Sequence, residues 1–315
     1  CLAWGDPHYM TFDNRRHDFQ GTCKYVLVRH ADFTVAVRNV HRPGHSQRVT
    51  FCDRVEVTVY GYKIQIRSGD GREVNGYRRS LPVCLNRKVY ISISGLNVLI
   101  ETDRCFSLTY DGNHKVEINV PASYKGKLSG MCGNYNGQPN DDNLFPGGQV
   151  ASTSLLYGNS WIAPDDDTCP DTTPQDNFDS NDIPPGDRQI YLHPSKCGLL
   201  NAVNGPFRTC HSIVSPSEFV ETCVFDMAAY RGDQLVLCQN LQAYADACVS
   251  AGGKPKQWRR SGFCAVPCPP HSHYSQCATP CPRTCADSGP RPCTKNCVES
   301  CVCDNGYVLS GAHCV

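Results

Sequence analysis

No run of 18 consecutive apolar residues occurs in this sequence, which excludes a hydrophobic helix long enough to cross a membrane. Basic and acidic residues balance at 30 each, so no net field draws the chain to nucleic acid or to an anionic membrane. Short basic runs such as Arg259-Arg260 read as solvated surface. No Asn-x-Ser/Thr acceptor is present, so protection falls to disulfides rather than to a sugar coat. Gly-x-Ser-x-Gly, His-Glu-x-x-His and a phosphate-cradling glycine loop are also missing, which removes the conventional enzyme classes. The 11 histidines are scattered, and His271-Ser272-His273 lacks a third ligand nearby, so it reads as a surface pair rather than a metal site. The sequence starts on Cys1 without the charged and apolar regions of a secretory leader and reads as an excerpt of a longer secreted or cell-surface chain.

Cysteine is what the chain has in excess, 22 in 315 residues. Cytosolic glutathione would keep such a set reduced, so an oxidising compartment is implied. The cysteines are unevenly spread, with seven in residues 1–170, six in 197–264 and nine in 268–314. Beyond Cys268 almost no aliphatic residues separate them, and disulfides must hold that stretch in place of an apolar core. Zinc is the competing reading, but the C-x2-C spacing that lets two thiolates share a metal is absent there.

The first 160 residues alternate apolar and polar positions, as in Val55-Glu56-Val57-Thr58-Val59, Ile64-Gln65-Ile66 and Val116-Glu117-Ile118. Turn signals at Gly69-Asp70-Gly71, Asn75-Gly76 and Asp111-Gly112 separate such runs. Half-apolar strands of this kind are buried most simply in an antiparallel β-sandwich. Residues 171–188, rich in proline and aspartate, read as a linker. The period then changes: Leu237, Cys238, Leu241, Tyr244, Ala245 and Cys248 share one face of a helix, predicting a small disulfide-rich α domain over 189–264. Residues 265–315 form the third part, a small disulfide-rich irregular module.

Two segments carry chemistry. In Gly5-Asp6-Pro7-His8 the Asp6 carboxylate can attack its own carbonyl carbon, because the tertiary amide to Pro7 has the better leaving nitrogen; His8 would serve as proton donor or sensor. The alternative is an uncleaved turn in which Asp6 caps local backbone. The loop Asn134-Tyr135-Asn136-Gly137-Gln138-Pro139-Asn140-Asp141-Asp142 gathers oxygen donors around a glycine, as calcium with its six to eight oxygens requires. It is no EF-hand, since Phe145 stands where the twelfth-position glutamate belongs, and its composition also suits a turn that satisfies its own backbone. Arg231-Gly232-Asp233 spells an integrin tripeptide, but it directly precedes a helical pattern where Gly-Asp makes an N-cap.

Cys1, Gly5-Asp6-Pro7-His8, Thr11-Phe12-Asp13, Phe19-x-Gly21-Thr22-Cys23 and Cys132-Gly133-Asn134-Tyr135-Asn136-Gly137 together resemble a von Willebrand factor type D (VWD) domain. Cys197-Gly198-Leu199, Gly205-Pro206-Phe207, Cys210-His211, Cys223-Val224-Phe225-Asp226 and Leu237-Cys238 resemble the C8 domain that follows it in that family, and Cys268–Cys314 resembles a trypsin-inhibitor-like (TIL) module. The likeness is to tandem-repeat members of the family, the secreted gel-forming mucins being more distant.

The resemblance implies a structural and adhesive unit of a large extracellular glycoprotein. Its partners would be other extracellular glycoproteins or neighbouring D assemblies of the same chain, with no nucleic acid and no membrane insertion. It implies calcium held by Asp13, Asn134, Asn136, the Gln138 carbonyl, Asp141 and Asp142, with Asn14 tolerating the positive φ usually taken there by glycine. It implies acid-promoted cleavage of Asp6-Pro7 through a cyclic anhydride open to cross-linking. It also implies disulfides Cys1 to Cys132 and Cys23 to Cys169. Cys84 and Cys105 flank strands that are candidates for neighbours, which would leave Cys52 over, although sequence does not fix the connectivity.

Departures from the family pattern limit the reading. Ser129 replaces the first cysteine of the multimerisation motif, Asp32 stands at the place of its partner, and Ala228 replaces a C8 cysteine. The family partner of Cys285 would fall beyond Val315. Lys295, in Cys293-Thr294-Lys295-Asn296-Cys297, sits where inhibitory TIL modules present a reactive bond, which makes inhibition of a trypsin-like protease the alternative function.

Overall fold

The computed structural model describes residues 1–41, 49–69, 71–166, 169, 183–285, 293, 297–311 and 313–315. Two compact units emerge, one of Cys1–Ile91 with Val98–Asp179 and one of Ser92–Asn97 with Ser180–Val315.

Fourteen strands occupy the first 119 residues: β1 (Leu2–Trp4), β2 (His8–Met10), β3 (Arg16–Asp18), β4 (Lys24–Arg29), β5 (Phe33–Val40), β6 (Phe51–Val59), β7 (Tyr62–Arg67), β8 (Arg72–Val74), β9 (Tyr77–Arg78), β10 (Val83–Leu85), β11 (Val89–Ser94), β12 (Asn97–Thr102), β13 (Ser107–Tyr110) and β14 (Val116–Asn119). They form an eight-stranded sheet ordered β10-β11-β12-β13-β14-β1-β2-β3 and a six-stranded sheet ordered β4 through β9. The alternation seen in the sequence sets the inward faces, with Val55, Val57, Val59, Ile64, Ile66, Val116 and Ile118 all buried. Asn75 and Gly76, at φ 51° and 79°, make the two-residue turn that pairs Val74 with Tyr77. One position breaks the expected alternation: Glu56 is buried, held by Lys24 (3.4 Å), Lys63 (3.1 Å) and the Gln65 amide (2.6 Å). Buried contacts join the sheets across one core. Phe33 of β5 stacks on Phe106 at 4.4 Å, the Asn39 amide donates to the Tyr9 hydroxyl at 2.9 Å, and the Tyr110 hydroxyl donates to the Cys52 carbonyl at 2.8 Å.

After β14 the chain returns along β4, where Met131 and Cys132 donate backbone N–H groups to the Val26 and Leu27 carbonyls. A short helix, α1 (Ser154–Ser160), then packs Tyr157 into the core, its hydroxyl donating to the Gly130 carbonyl at 2.7 Å. The proline-rich stretch read as a linker ends earlier than its composition indicates, because Pro185–Tyr191 is helix α2 with Pro185 at its first turn, where the missing N–H costs nothing. Further on, α3 (Ser217–Ala229) and α4 (Gln234–Ser250) pack together, and Leu237, Leu241, Tyr244, Ala245 and Cys248 are buried on the predicted face of α4. The last part is carried by a bulged hairpin of β15 (Ser272–Ala278) and β16 (Val298–Cys303).

Nine disulfides are formed: Cys1–Cys132, Cys23–Cys169, Cys197–Cys223, Cys210–Cys248, Cys238–Cys264, Cys268–Cys301, Cys277–Cys297, Cys281–Cys293 and Cys303–Cys314. Cys52, Cys84, Cys105 and Cys285 are free thiols. The bridge between Cys84 and Cys105 considered from sequence is therefore not made. Cys84 lies on β10 opposite Tyr90 of β11, whereas Cys105 sits in the turn after β12. Two strand spacings of about 4.8 Å separate β10 from β12, beyond the roughly 7 Å Cα reach of a disulfide.

Arg259 also departs from its surface reading: only Arg260 is exposed, while Arg259 is buried against Glu299. No helix among the described residues is long and apolar enough to cross a membrane.

Candidate functional site

The Gly5-Asp6-Pro7 segment is the loop of the β1–β2 hairpin, closed by pairing of Trp4 with His8. Gly5 turns the chain at φ 67°, a conformation that carries no steric penalty without a Cβ. On one side β1 pairs with β14 and on the other β2 pairs with β3, so both strands flanking the labile bond are paired on either side. Asp6 and His8 are both buried.

Register puts His8 opposite Asp18, and the imidazole bridges two carboxyl groups: Nε2 lies 2.9 Å from Asp6 Oδ1 and Nδ1 lies 2.8 Å from Asp18 Oδ1. Arg16 grips Asp18 through both ends of its fork, Nε at 3.2 Å and a terminal nitrogen at 3.1 Å. Desolvation alone would raise the pKa of Asp18, but His8 and then Arg16 outweigh it and hold this carboxyl well below the usual carboxylate range. An ionised Asp18 accepts the His8 Nδ1 proton, and that fixes Nε2 as the nitrogen facing Asp6. Gln20 completes the site: its Nε2 donates to the Asp6 carbonyl, the carbonyl of the Asp6-Pro7 bond.

The asparagine-rich loop lies at the end of the segment running along β4. Asp13 reaches it from the turn after β2, accepting the N–H groups of Asn136 and Gly137, each at 2.9 Å. Asn14 takes φ 65°, the left-handed conformation that asparagine tolerates. Asp141 accepts from the side-chain amides of Asn134 (3.1 Å) and Asn136 (2.8 Å), and Asp142 accepts the Asn134 N–H (3.1 Å) and the Thr11 hydroxyl. The Gln138 carbonyl receives only a long 3.4 Å bond from the Asp141 N–H. Gly133, at φ 78°, is required here, since a Cβ would lie 2.0 Å from Asp142 Oδ1.

All the residues read from sequence as calcium ligands thus fall in one place. Burial, with Asp13 and Asp141 adding like charge, raises the pKa of Asp142. Among the described residues none of the three carboxylates forms an ion pair with lysine or arginine, and the three do not close to within 4.8 Å of one another. Arg15 reaches the loop but donates to the Pro139 and Asn140 carbonyls, each at 3.2 Å, which leaves three acidic groups with oxygen-donor asparagines, a donor set suited to a hard divalent ion.

Other sequence readings fare differently. Asp233 caps α4, its carboxylate accepting the Leu235 N–H at 2.7 Å, so the Arg231-Gly232-Asp233 turn spends its aspartate on the helix. Lys295 lies outside the described residues. Ser129 exchanges backbone hydrogen bonds with Arg29, and Asp32 pairs with Arg104, so each has found a non-covalent partner.

Sequence reasoning passed over Thr11, Asp18 and Gln20. Thr11 was legible only as part of a motif. Asp18 and Gln20 owe their places to strand register and to a contact with Thr50, which no local pattern announces.

Comparison with known families matches residues 1–149 to the von Willebrand factor type D domain, residues 196–265 to the C8 domain and residues 268–315 to the trypsin inhibitor-like cysteine-rich domain. Aligned over its whole length, the chain is 38% identical to zonadhesin, 40% to alpha-tectorin and 36% to IgGFc-binding protein, all of Homo sapiens. It spans 11%, 15% and 6% of the lengths of these relatives. Nine disulfides and this kinship mark an extracellular protein. The chain is a von Willebrand factor type D assembly, in which VWD, C8 and TIL domains follow one another in that order.

Proposed function

We propose that this chain is a structural and adhesive unit, one of several repeats, in a large mucin-like or matrix glycoprotein. In this reading the VWD part is a calcium-rigidified β-sandwich, the C8 part a small disulfide-rich α domain, and the bond between Asp6 and Pro7 cuts itself. No turnover on an external substrate is assigned. Neighbouring D assemblies and other extracellular glycoproteins are the partners, reached by surface contact or through the anhydride that cleavage generates.

The observation that carries the cleavage reading is the buried Asp6–His8 pair, with Nε2 2.9 Å from the carboxyl that must attack. As one Asp6 side-chain oxygen bonds to the Asp6 carbonyl carbon, the C–N bond to Pro7 breaks. His8 takes the carboxyl proton and returns it to the prolyl nitrogen. Water then opens the anhydride to leave two carboxyl groups on residue 6. Because Cys1 is bonded to Cys132 and β1 is paired with β14, the cut leaves residues 1–6 attached. After incubation at pH 5.5, mass spectrometry is expected to find the first six residues lost only from reduced protein. His8→Gln should slow the loss about a hundredfold or more. Full-length reduced protein throughout would end the cleavage reading.

Calcium is supported by the gathering of Asp13, Asp141 and Asp142 around one loop, none of them in an ion pair with lysine or arginine among the described residues. At a calcium concentration about 100 times Kd, binding adds about 2.7 kcal/mol, so chelation is expected to lower the melting temperature of this part by about 5–10 °C. Asp13→Asn should abolish that difference, and equal melting with and without chelator in the unaltered chain would remove calcium from the account.

A further inference from the structure

The side chain of Gln20 is buried at 4% exposure, and both ends of its amide are committed. Its Oε1 accepts the Thr50 backbone N–H at 2.9 Å and lies 3.5 Å from the Thr50 hydroxyl. A backbone N–H can only donate, so the oxygen of the Gln20 amide must face Thr50 and the NH2 group must face the Asp6 carbonyl. The residues on either side hold it still. Phe19 packs edge-on against Tyr25 at 4.9 Å, and a Cβ on Gly21 would meet the Tyr25 hydroxyl at 1.9 Å. Gln20 therefore presents a donor, oriented before any reaction, to the one carbonyl in the chain whose carbon the Asp6 carboxyl attacks.

We infer that Gln20 is a catalytic residue of the self-cleavage, its amide N–H stabilising the negative charge that develops on the Asp6 carbonyl oxygen when the anhydride ring closes. The inference rests on the cleavage reading above. During attack the carbon–oxygen double bond opens and its electron pair moves to the carbonyl oxygen. A bond forms from the Asp6 side-chain oxygen to the carbonyl carbon. When the pair returns, the bond to the Pro7 nitrogen breaks, and that nitrogen leaves with the proton passed through His8. A fixed donor in a buried setting is worth most at the stage where the oxygen is charged, because it needs no reorganisation at that moment. The Asp18–His8–Asp6 relay manages the proton while Gln20 manages the charge. These are separate tasks, one at the Asp6 carboxyl and the other at the Asp6 carbonyl oxygen.

The test compares the 315-residue chain with Gln20→Met and Gln20→Glu, following cleavage by reduced mass from pH 7 to pH 4.5. Gln20→Met removes the donor at every pH and is expected to slow cleavage by a constant factor of about a hundred. Gln20→Glu keeps the oxygen that accepts from Thr50. While ionised it sets a negative charge against the developing oxyanion, and once protonated it again offers a donor. A buried glutamate beside Asp6 protonates above its free value of about 4.3, so the Glu variant's rate, taken relative to the unaltered chain, should climb as pH falls while that of the Met variant stays flat. A residue that merely braced the turn would give no such divergence. Melting curves and non-reducing mass, with Cys1–Cys132 and Cys23–Cys169 intact, establish that the variants are folded; should Gln20→Met misfold, the pH dependence of Gln20→Glu decides alone. Equal rates for the unaltered chain and the folded variants, or parallel pH profiles for both variants, overturn the role of Gln20 and leave cleavage standing. Absence of cleavage in the unaltered chain at every pH overturns the cleavage reading and the role of Gln20 with it.

Discussion

Replacing Arg259 with alanine is expected to destabilise the C-terminal half of the chain by about 3–5 kcal/mol, the cost of leaving a buried charge without its partner. Arg259 Nε donates to Glu299 Oε1 at 2.5 Å and a second nitrogen reaches Glu299 Oε2 at 3.3 Å, with both side chains less than a tenth exposed. Its remaining donors go to the Cys264 carbonyl at 2.6 Å and to the Gln242 side chain on α4, and the guanidinium lies 4.1 Å from the centre of the Trp258 ring. On the other side the Tyr274 hydroxyl donates to Glu299, and burial together with that carboxylate raises the tyrosine pKa. One guanidinium thus ties α4 of the C8 domain to β16 of the TIL hairpin, and Glu299 extends the tie to Tyr274 of β15, where few aliphatic residues are available for the task. Removing Arg259 leaves the Glu299 carboxyl buried without its cation, whereas Arg259→Met with Glu299→Leu removes both charges and fills the space. The double variant is expected to recover most of the loss, because a buried ion pair is far harder to halve than to replace. Urea unfolding of the single and double variants reads this directly. A single variant within 1 kcal/mol of the unaltered chain would show that the pair is solvated.

That contact illustrates where the sequence is legible and where it is not. Alternating Val55, Val57 and Val59 disclosed a half-buried strand, and the spacing of Leu237, Leu241, Tyr244 and Cys248 disclosed a helix face, because both patterns are local. Arg259-Arg260 looked like surface charge because its partner lies 40 residues on, across a domain boundary. Cys84 and Cys105 looked poised to pair because sequence does not fix the strand order that keeps them apart. The labile bond showed a similar split. Gly5-Asp6-Pro7-His8 was visible at once as chemistry, yet Gln20 stood at the position left open in Phe19-x-Gly21-Thr22-Cys23. Its orientation is set by Thr50, 30 residues away, which turns the amide so that its nitrogen faces the Asp6 carbonyl.

Acid is expected to weaken the VWD domain through His17, in the same interval in which it would promote the proposed cleavage. His17 lies one residue before Asp18, the position opposite His8, and is paired with Tyr9. Its ring stacks on Tyr9 at 5.0 Å, meets Tyr157 edge-on at 5.1 Å and places Nε2 2.9 Å from the Met131 carbonyl. Burial pushes its pKa down to about 4 despite that carbonyl, so the folded protein holds the neutral imidazole. Unfolded histidine titrates near 6.5. Below that pH the unfolded chain takes up a proton that the folded chain refuses, so the stability His17 contributes is complete above about pH 6.5 and is lost as pH falls towards 4. A shift of 2.5 pKa units corresponds to about 3 kcal/mol, or about 6–12 °C in melting temperature. Glutamine at position 17 keeps a donor for the Met131 carbonyl and cannot titrate. His17→Gln is therefore expected to lose less of its melting temperature between pH 7 and pH 4.5 than the unaltered chain does, and identical slopes would clear His17 of the effect. Depressed carboxyls such as Asp18 and Asp111 act at lower pH, where unfolded carboxylates titrate, and groups that titrate within the interval, Asp142 with its raised pKa among them, are common to both chains, so the difference in slope reads His17. The strand carrying His17 also carries Asp18, which holds the imidazole of His8, so the proposed cleavage would require the fold to outlast the acid that drives it. His17→Gln, by holding β2 and β3 together at pH 4.5, should extend the lower limit of cleavage rather than slow it.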